Sequence, residues 1–438
     1  MESIRKVSSI ILPKTRNPEH ESEYLVGLKG AFALQAFVWM FLQTFVPATI
    51  NGVDAESNVP GPEYQVVLRK VLSVLFWNEN LIYSAFIIIS ARCISIPFIK
   101  NATSAQVAGS LFRRGIRLFF PAAVSLALVY IIFSSIGYEY LSTYKTKSGN
   151  TMIEDIYQIP NALVYFNSIF NLFWVTTNYG TQAAAQAFPT QTLWVISAVF
   201  QQSYTVYMAE VIIPYTRSSW RIKGYFVFIL TAFWVQSWAW FSITGLMLAD
   251  MVHNMDYKAK AQRGIHIWKQ YRCPTWIPCV LVMGAGYLME YIYVAWRPEY
   301  QNREFEGHAG LYYSGGLNSN YDIHQPQARD DNYLILAGFM FLLESYDTLQ
   351  TILRNPLLTY LGRRALSWFI LQSIIAYTAG IKLWLHLTGT KHWAVASANV
   401  VCLLVCLVVT IPSAEIFHRL IDRPSQWLAR RAYQWIKS

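Results

Sequence analysis

From Lys223 to Asp250 the chain carries no charged side chain, and runs of this kind recur along most of its length. A bilayer core about 30 Å thick needs about 20 apolar residues in helix. Clear runs of that size lie at 31–50, 74–99, 117–137, 190–213, 276–296, 332–348, 365–386 and 393–413. The run 224–250 is too long for one upright helix and too short for two full ones. Charged residues make up only 14% of the chain, against roughly 25% for a soluble domain. Apolar residues reach 54% and aromatics 16%. This excludes disorder, which needs low hydrophobicity, and argues against a soluble enzyme. The remaining class is an all-α, polytopic membrane bundle, with the lipid bilayer as its first partner. A net charge of +10 can mark nucleic-acid binding, but no solvated basic module is visible, so no nucleic-acid partner is expected.

The distribution of charge sets the topology. Lys and Arg concentrate in cytosolic loops. With a cytosolic N-terminus, segments 1–30, 92–117, 214–224, 251–275, 349–364 and 414–438 hold 26 of the 35 basic residues. This works only if 224–250 crosses an even number of times. It therefore reads as two short helices breaking around Gln236–Trp240, giving about ten spans with both termini cytosolic. The expected organisation is a cytosolic tail at 1–23, a transmembrane domain at 24–428 with long lumenal loops at 138–189 and 297–331, and a basic tail at 429–438. Residues 160–177 are apolar but interrupted by Asn161, Asn167 and Asn171; they read as an interfacial or re-entrant helix. The N-terminus has no signal-peptide h-region, so the first span serves as the anchor, in the endoplasmic reticulum or another endomembrane. The five cysteines have neither disulfide-framework nor zinc spacing; they read as small buried hydrophobes, and no metal is expected.

Ionisable residues inside spans need partners or a wet cavity. Here they are Glu79, Arg92, Glu210, Glu290, Glu344 and Lys382, read either as functional groups or as interhelical ion pairs. Arg113, Arg114 and Arg117 precede Pro121 at the mouth of the third span. Arg113 and Arg117 are four apart and share a helical face. Guanidinium groups there suit phosphates, such as those of an acyl-CoA; they equally suit a purely topological role or contact with lipid headgroups.

Seven short motifs in order resemble the integral-membrane acyltransferase type 3 family, especially its fungal branch. They are Gly27-Leu28-Lys29-Gly30, Phe86 through Ser90-Ala91-Arg92, Arg113-Arg114 with Arg117 and Pro121, and Leu193-Trp194 through Phe200 and Ser203. Gly245 through Ala249-Asp250, Asn355-Pro356 with Leu361-Gly362-Arg363, and Ile421-Asp422-Arg423-Pro424-Ser425 complete the set. The resemblance covers about 24–428. It implies transfer of an acetyl or acyl group from acyl-CoA to a hydroxyl of a lipophilic secondary metabolite, with pathway enzymes as possible partners. It also implies altered polar positions: Lys29 stands for a family Arg, Met40 for a His, Val199 for a Glu, Gln201 for an Arg and Gln372 for a His.

Acyl transfer to an alcohol needs a base near the hydroxyl and donors for the oxyanion. A thioether is no base at neutral pH, and a carboxamide can only orient or donate. The expected catalytic set is therefore Gln372 with Glu290 and His386 as substitute groups; His308 and His324 are further candidate bases. Lys29, Arg92, Arg113, Arg114 and Arg117 are expected to bind the cofactor, acyl-CoA, and Met40, Trp194 and Gln201 the acceptor. Two readings compete with acyl transfer: a non-acyl reaction such as cyclisation or isomerisation on the same scaffold, and a non-catalytic scaffold.

Overall fold

The computed structural model describes residues 22–50, 59, 61–100, 103–153, 155–176, 178–268, 271–301, 304 and 325–437. His308 and His324 lie outside them. A helix occupies each of the ten expected positions: α1 Glu23–Phe45, α2 Glu79–Lys100, α3 Ser104–Ile136, α4 Trp194–Ile212, α5 Ser218–Trp234, α6 Ala239–Asn254, α7 Trp276–Tyr291, α8 Asp330–Ser345, α9 Ala365–Ile375 and α10 Val395–Phe417. Among the described residues, by length and composition, six helical runs are apolar and long enough to cross a membrane: those containing α1, α2, α3, α7, α9 and α10. The chain is nearly all helical. The departure is a small antiparallel hairpin, β1 Ile265–Trp268 with β2 Tyr271–Cys273.

The break inside 224–250 falls where charge distribution requires it. Helix α5 stops at Trp234, Gln236 adopts a left-handed φ of 54°, and α6 begins at Ala239. Helix α3 begins well before the expected 117, because the Thr103 side chain accepts a hydrogen bond from the Gln106 amide and caps the helix. Helix α9 runs on through two π segments to Thr390. Helix α10 continues through a π segment, His418–Asp422, into a terminal helix, Arg423–Lys437.

Close approach of backbones sets how α1 sits. A Cβ on Gly27 would lie 1.7 Å from the Leu353 carbonyl oxygen, and one on Gly30 would lie 2.0 Å from that of Leu358. Conversely, a Cβ on Gly362 would lie 1.8 Å from the Val26 oxygen. Glycine on both sides lets α1 cross the short helix Pro356–Arg363 in direct backbone contact. From there α1 and α9 run parallel: Phe37 meets Trp368 edge to face at 5.8 Å, and Phe45 reaches Gly380. Met40 and Gln372 therefore lie at similar heights in the bundle, both buried. On the other side of the core, Gly245 of α6 packs against the Ile88 and Ala91 turn of α2.

The apolar segment around 160–177 forms the helix Ala162–Trp174. Leu163, Phe166, Phe170 and Trp174 are exposed along one stripe. Phe173 packs on Phe119 of α3 and Phe200 of α4. The chain then turns back through Ala184, Ala185, Ala187 and Phe188, all buried. With 13 residues this helix is shorter than the about 20 residues that a bilayer crossing needs. The five cysteines are free, and Cys279, Cys402 and Cys406 are buried, as small hydrophobes are.

Candidate functional site

Where α1 meets the helix Pro356–Arg363 and the terminal helix, a cavity of about 500 Å³ opens, within the usual range for small-molecule sites. Its lining is dominated by cations: Lys29 of α1, Arg117 of α3, Arg363 and Arg364, and Arg423 and Arg430 of the terminal helix. Two are neutralised, Arg364 by Glu415 and Arg363 by Glu23 at 3.4 Å. Among the described residues no ion pair engages Lys29, Arg117, Arg423 or Arg430. Four cations around one cavity that no described carboxylate offsets make a site for an anion, with phosphate favoured by the guanidinium fork.

The elements explain why these side chains converge. The Gly27/Gly30 crossing with Gly362 puts Lys29 beside Arg363. The terminal helix is pinned to α3 by Tyr433, whose hydroxyl donates to the Ala105 carbonyl at 3.2 Å and whose ring lies 6.0 Å from Phe112. That docking carries Arg423 and Arg430 to Arg117. Four of the seven sequence motifs, those of Lys29, Arg117, Arg363 and Arg423, thus meet at one cavity.

The other expected cofactor residues lie elsewhere. Arg92 is buried and its Nε donates to Glu344 of α8 at 2.9 Å, while Tyr24 donates to the second Glu344 oxygen at 2.6 Å. It is an interhelical ion pair in the core. Arg114 is also buried, donating to Ser203 at 2.9 Å and Ser90 at 2.6 Å, and so ties α3 to α4 and α2. Arg113 folds back onto the Gly109 carbonyl at 2.7 Å. The arginine cluster thus splits three ways, and only Arg117 reaches the cavity.

The expected catalytic residues are not brought together. Glu290 is buried against α2 and α8, accepting from Asn78 at 2.8 Å. His386 is exposed, and 14 positions of helix separate it from Gln372, about 20 Å of rise. Gln372 lies inside the bundle. Gln201 holds the turn after the helix Ala162–Trp174, donating to the Val175 carbonyl at 2.6 Å and accepting from Tyr179 at 2.5 Å.

Trp194 belongs to a buried aromatic group. Its ring is 5.3 Å from Tyr83 and 5.9 Å from Trp238. Tyr83 also meets Trp39 at 5.6 Å and Phe369 at 6.2 Å, joining α1, α2, α4 and α9. Several nearby polar atoms are buried without a hydrogen-bond partner among the described residues: Trp39 Nε1, Tyr83 Oη, Trp368 Nε1 and Gln372 Oε1. Each costs about 1–3 kcal/mol when unpaired. Three are donors, so an oxygen-bearing guest would relieve the cost. Met40 stands one residue from Trp39, fully buried.

One group in the cavity has no counterpart among the sequence candidates. His418 lines it, and its Nδ1 lies 2.7 Å from Asp422 Oδ2. The signal was present as a His and an Asp four apart, but that pattern is common on solvated helices. Only the docking of the terminal helix gives it meaning.

No protein-family model matches the chain, and no solved structure matches it. Over 125 residues it is 30% identical to an uncharacterized protein, UU048, of Ureaplasma parvum serovar 3. That stretch is 28% of this chain, and the chain spans about a quarter (24%) of that relative's length.

Proposed function

We propose that the protein is a membrane-embedded O-acyltransferase that takes its acyl group from acyl-CoA and passes it to a hydroxyl of a lipophilic small molecule. The carrying observation is that the cationic cavity and the buried donors share one helix. Lys29 and Met40 are 11 residues apart on α1, about 16 Å of rise, a distance a pantetheine arm can bridge. Phosphates held by Lys29, Arg117, Arg423 and Arg430 would place the thioester at the level of Trp39, Tyr83 and Gln372. The Trp39 and Tyr83 donors suit the oxyanion that develops during acyl transfer. Gln372 can orient the acceptor but cannot take its proton. With no family His at Met40, transfer should be slow by about two to four orders of magnitude unless the acceptor hydroxyl is itself acidic.

In this reading ten helices span an endomembrane, and both terminal segments and the cationic cavity face the cytosol, where acyl-CoA is made. Cysteine-accessibility mapping tests the topology: single cysteines placed near Arg430 and near Arg329 must label from opposite sides. Labelling of both from one side would overturn it. For the activity, microsomes carrying the protein are incubated with labelled acetyl-CoA and candidate lipophilic alcohols. Transfer that disappears in Arg117→Gln supports the assignment; no transfer across the set refutes it.

The aromatic walls of Trp39, Tyr83, Trp194, Trp238 and Phe369 favour a second reading, cyclisation or isomerisation of a membrane-dissolved intermediate, since aromatic faces stabilise cations. Products of a deletion strain separate the two. Accumulation of an unacylated precursor supports acyl transfer, and accumulation of an uncyclised one supports the alternative.

A further inference from the structure

The cations of the cavity would hold any phosphate, but His418 adds a selective element. Its Nδ1 is engaged by Asp422, whose other oxygen accepts from Gln426 Nε2 at 2.9 Å. The His418 and Asp422 side chains are only 7% and 4% exposed. Asp422 therefore holds the ring through Nδ1, which leaves Nε2 as the ring nitrogen it does not engage, on a side chain that lines the cavity. Lys29, Arg117, Arg363, Arg364, Arg423 and Arg430 face the same space, with Glu415 and Glu23 spent on Arg364 and Arg363.

An ammonium or guanidinium donates to any phosphate oxygen. With the Nδ1 hydrogen given to the Asp422 carboxylate, Nε2 accepts when the ring is neutral and donates only when the ring is an imidazolium. A phosphodiester carries one charge and no proton, so it binds Nε2 only if the ring first takes a proton from solvent. A phosphate monoester has its second ionisation near pH 6. Its monoanion donates a P–OH to neutral Nε2, and its dianion accepts from Nε2–H of the imidazolium, whose charge Asp422 offsets. The P–OH form brings the shared proton with it, which no phosphodiester can do; the dianion takes one up from solvent but adds a second negative charge opposite the imidazolium. We infer that His418, held by Asp422, makes the cavity selective for a terminal phosphate monoester over a phosphodiester. The inference rests on the cavity being a phosphate site, as proposed above, and not on the transfer reaction.

Such a monoester occurs on soluble cofactors and on lipid headgroups, so the test has two arms. Full-length protein in phosphatidylcholine nanodiscs is titrated with coenzyme A and with dephospho-coenzyme A, which lacks only the terminal phosphate. In parallel, nanodiscs doped with phosphatidic acid or with phosphatidylglycerol are compared for displacement of labelled coenzyme A. A charge-assisted hydrogen bond of about 1.5–3 kcal/mol corresponds to a preference of about tenfold or more for the monoester. His418→Gln, which keeps a donor for Asp422, should reduce the ratio to within about threefold of unity while leaving the diester probe's affinity unchanged. Asp422→Asn should reduce the ratio as well, and thermal melts confirm that each variant is folded. A preference confined to the coenzyme arm assigns a soluble ligand, and one confined to the lipid arm a headgroup; both uphold monoester selectivity. Equal affinities in both arms, or a ratio that neither substitution moves, would overturn it. Failure to detect acyl transfer leaves this ratio untouched, so the two claims fail separately.

Discussion

Arg92 and Arg117 each lie near the basic end of an apolar run, Arg92 alone and Arg117 beside Arg113 and Arg114, yet the fold gives them opposite tasks. Arg92 is sealed in the core against Glu344, whereas Arg117 is exposed to the cationic cavity. The difference lies on the packing link, not the sequence link. It depends on α8 bringing a carboxylate to α2 from a position 252 residues away. Breaking a buried pair by removing one partner costs about 3–5 kcal/mol, while replacing both with apolar groups is often neutral. Arg92→Met should therefore lower the thermal midpoint in detergent sharply, and Arg92→Met with Glu344→Leu should recover most of the loss. If the double variant is no more stable than the single one, the pair is not what makes Arg92 necessary. Lys29 and Arg117 were legible only as two of several cations at span mouths; that Arg117 reaches the cavity while Arg113 and Arg114 do not is set by packing. His418 was not, because its role depends on where the terminal helix docks.

At the scale of elements, the sequence reading was strongest where hydropathy speaks and weakest where backbones touch. All ten helix positions follow from apolar runs and charge balance, including the break at Gln236. The early start of α3 lies outside the apolar run because Ser104, Gln106, Ser110, Arg113 and Arg114 interrupt its first turns, so hydropathy does not register them. The glycine contacts were visible only as motif letters. Gly27, Gly30 and Gly362 matter because each removes a Cβ from a backbone-to-backbone crossing. Gly362→Ala must push α1 off the Pro356–Arg363 helix, and overpacking of this kind typically costs about 1–3 kcal/mol. The expected outcome is a lower thermal midpoint together with weaker coenzyme binding, since the same crossing places Lys29. A variant with unchanged melting and unchanged binding would show that the crossing relaxes freely and does not position the cation.

For the whole molecule, three regions define what the bundle can do. One end gathers the cationic cavity. The opposite ends of α7 and α8 gather Glu290, Asn78 and the Arg329–Asp331 pair. Between them lies the buried aromatic group with its unpaired donors. The sequence placed residues of all three regions on its candidate list but could not say which share a region. Gln372, Glu290 and His386 fall in three separate places, whereas Lys29 and Arg117 fall in one. We propose that this shared place holds the phosphates of an acyl donor. The direct measurement is acetyl-CoA affinity of the purified full-length protein in neutral nanodiscs, comparing wild type with Lys29→Gln and Arg117→Gln. Each lost charge-assisted contact should weaken binding by about tenfold or more, with the effect shrinking as salt rises. Affinity unchanged in both variants, or no measurable binding by the folded wild type, would contradict the account.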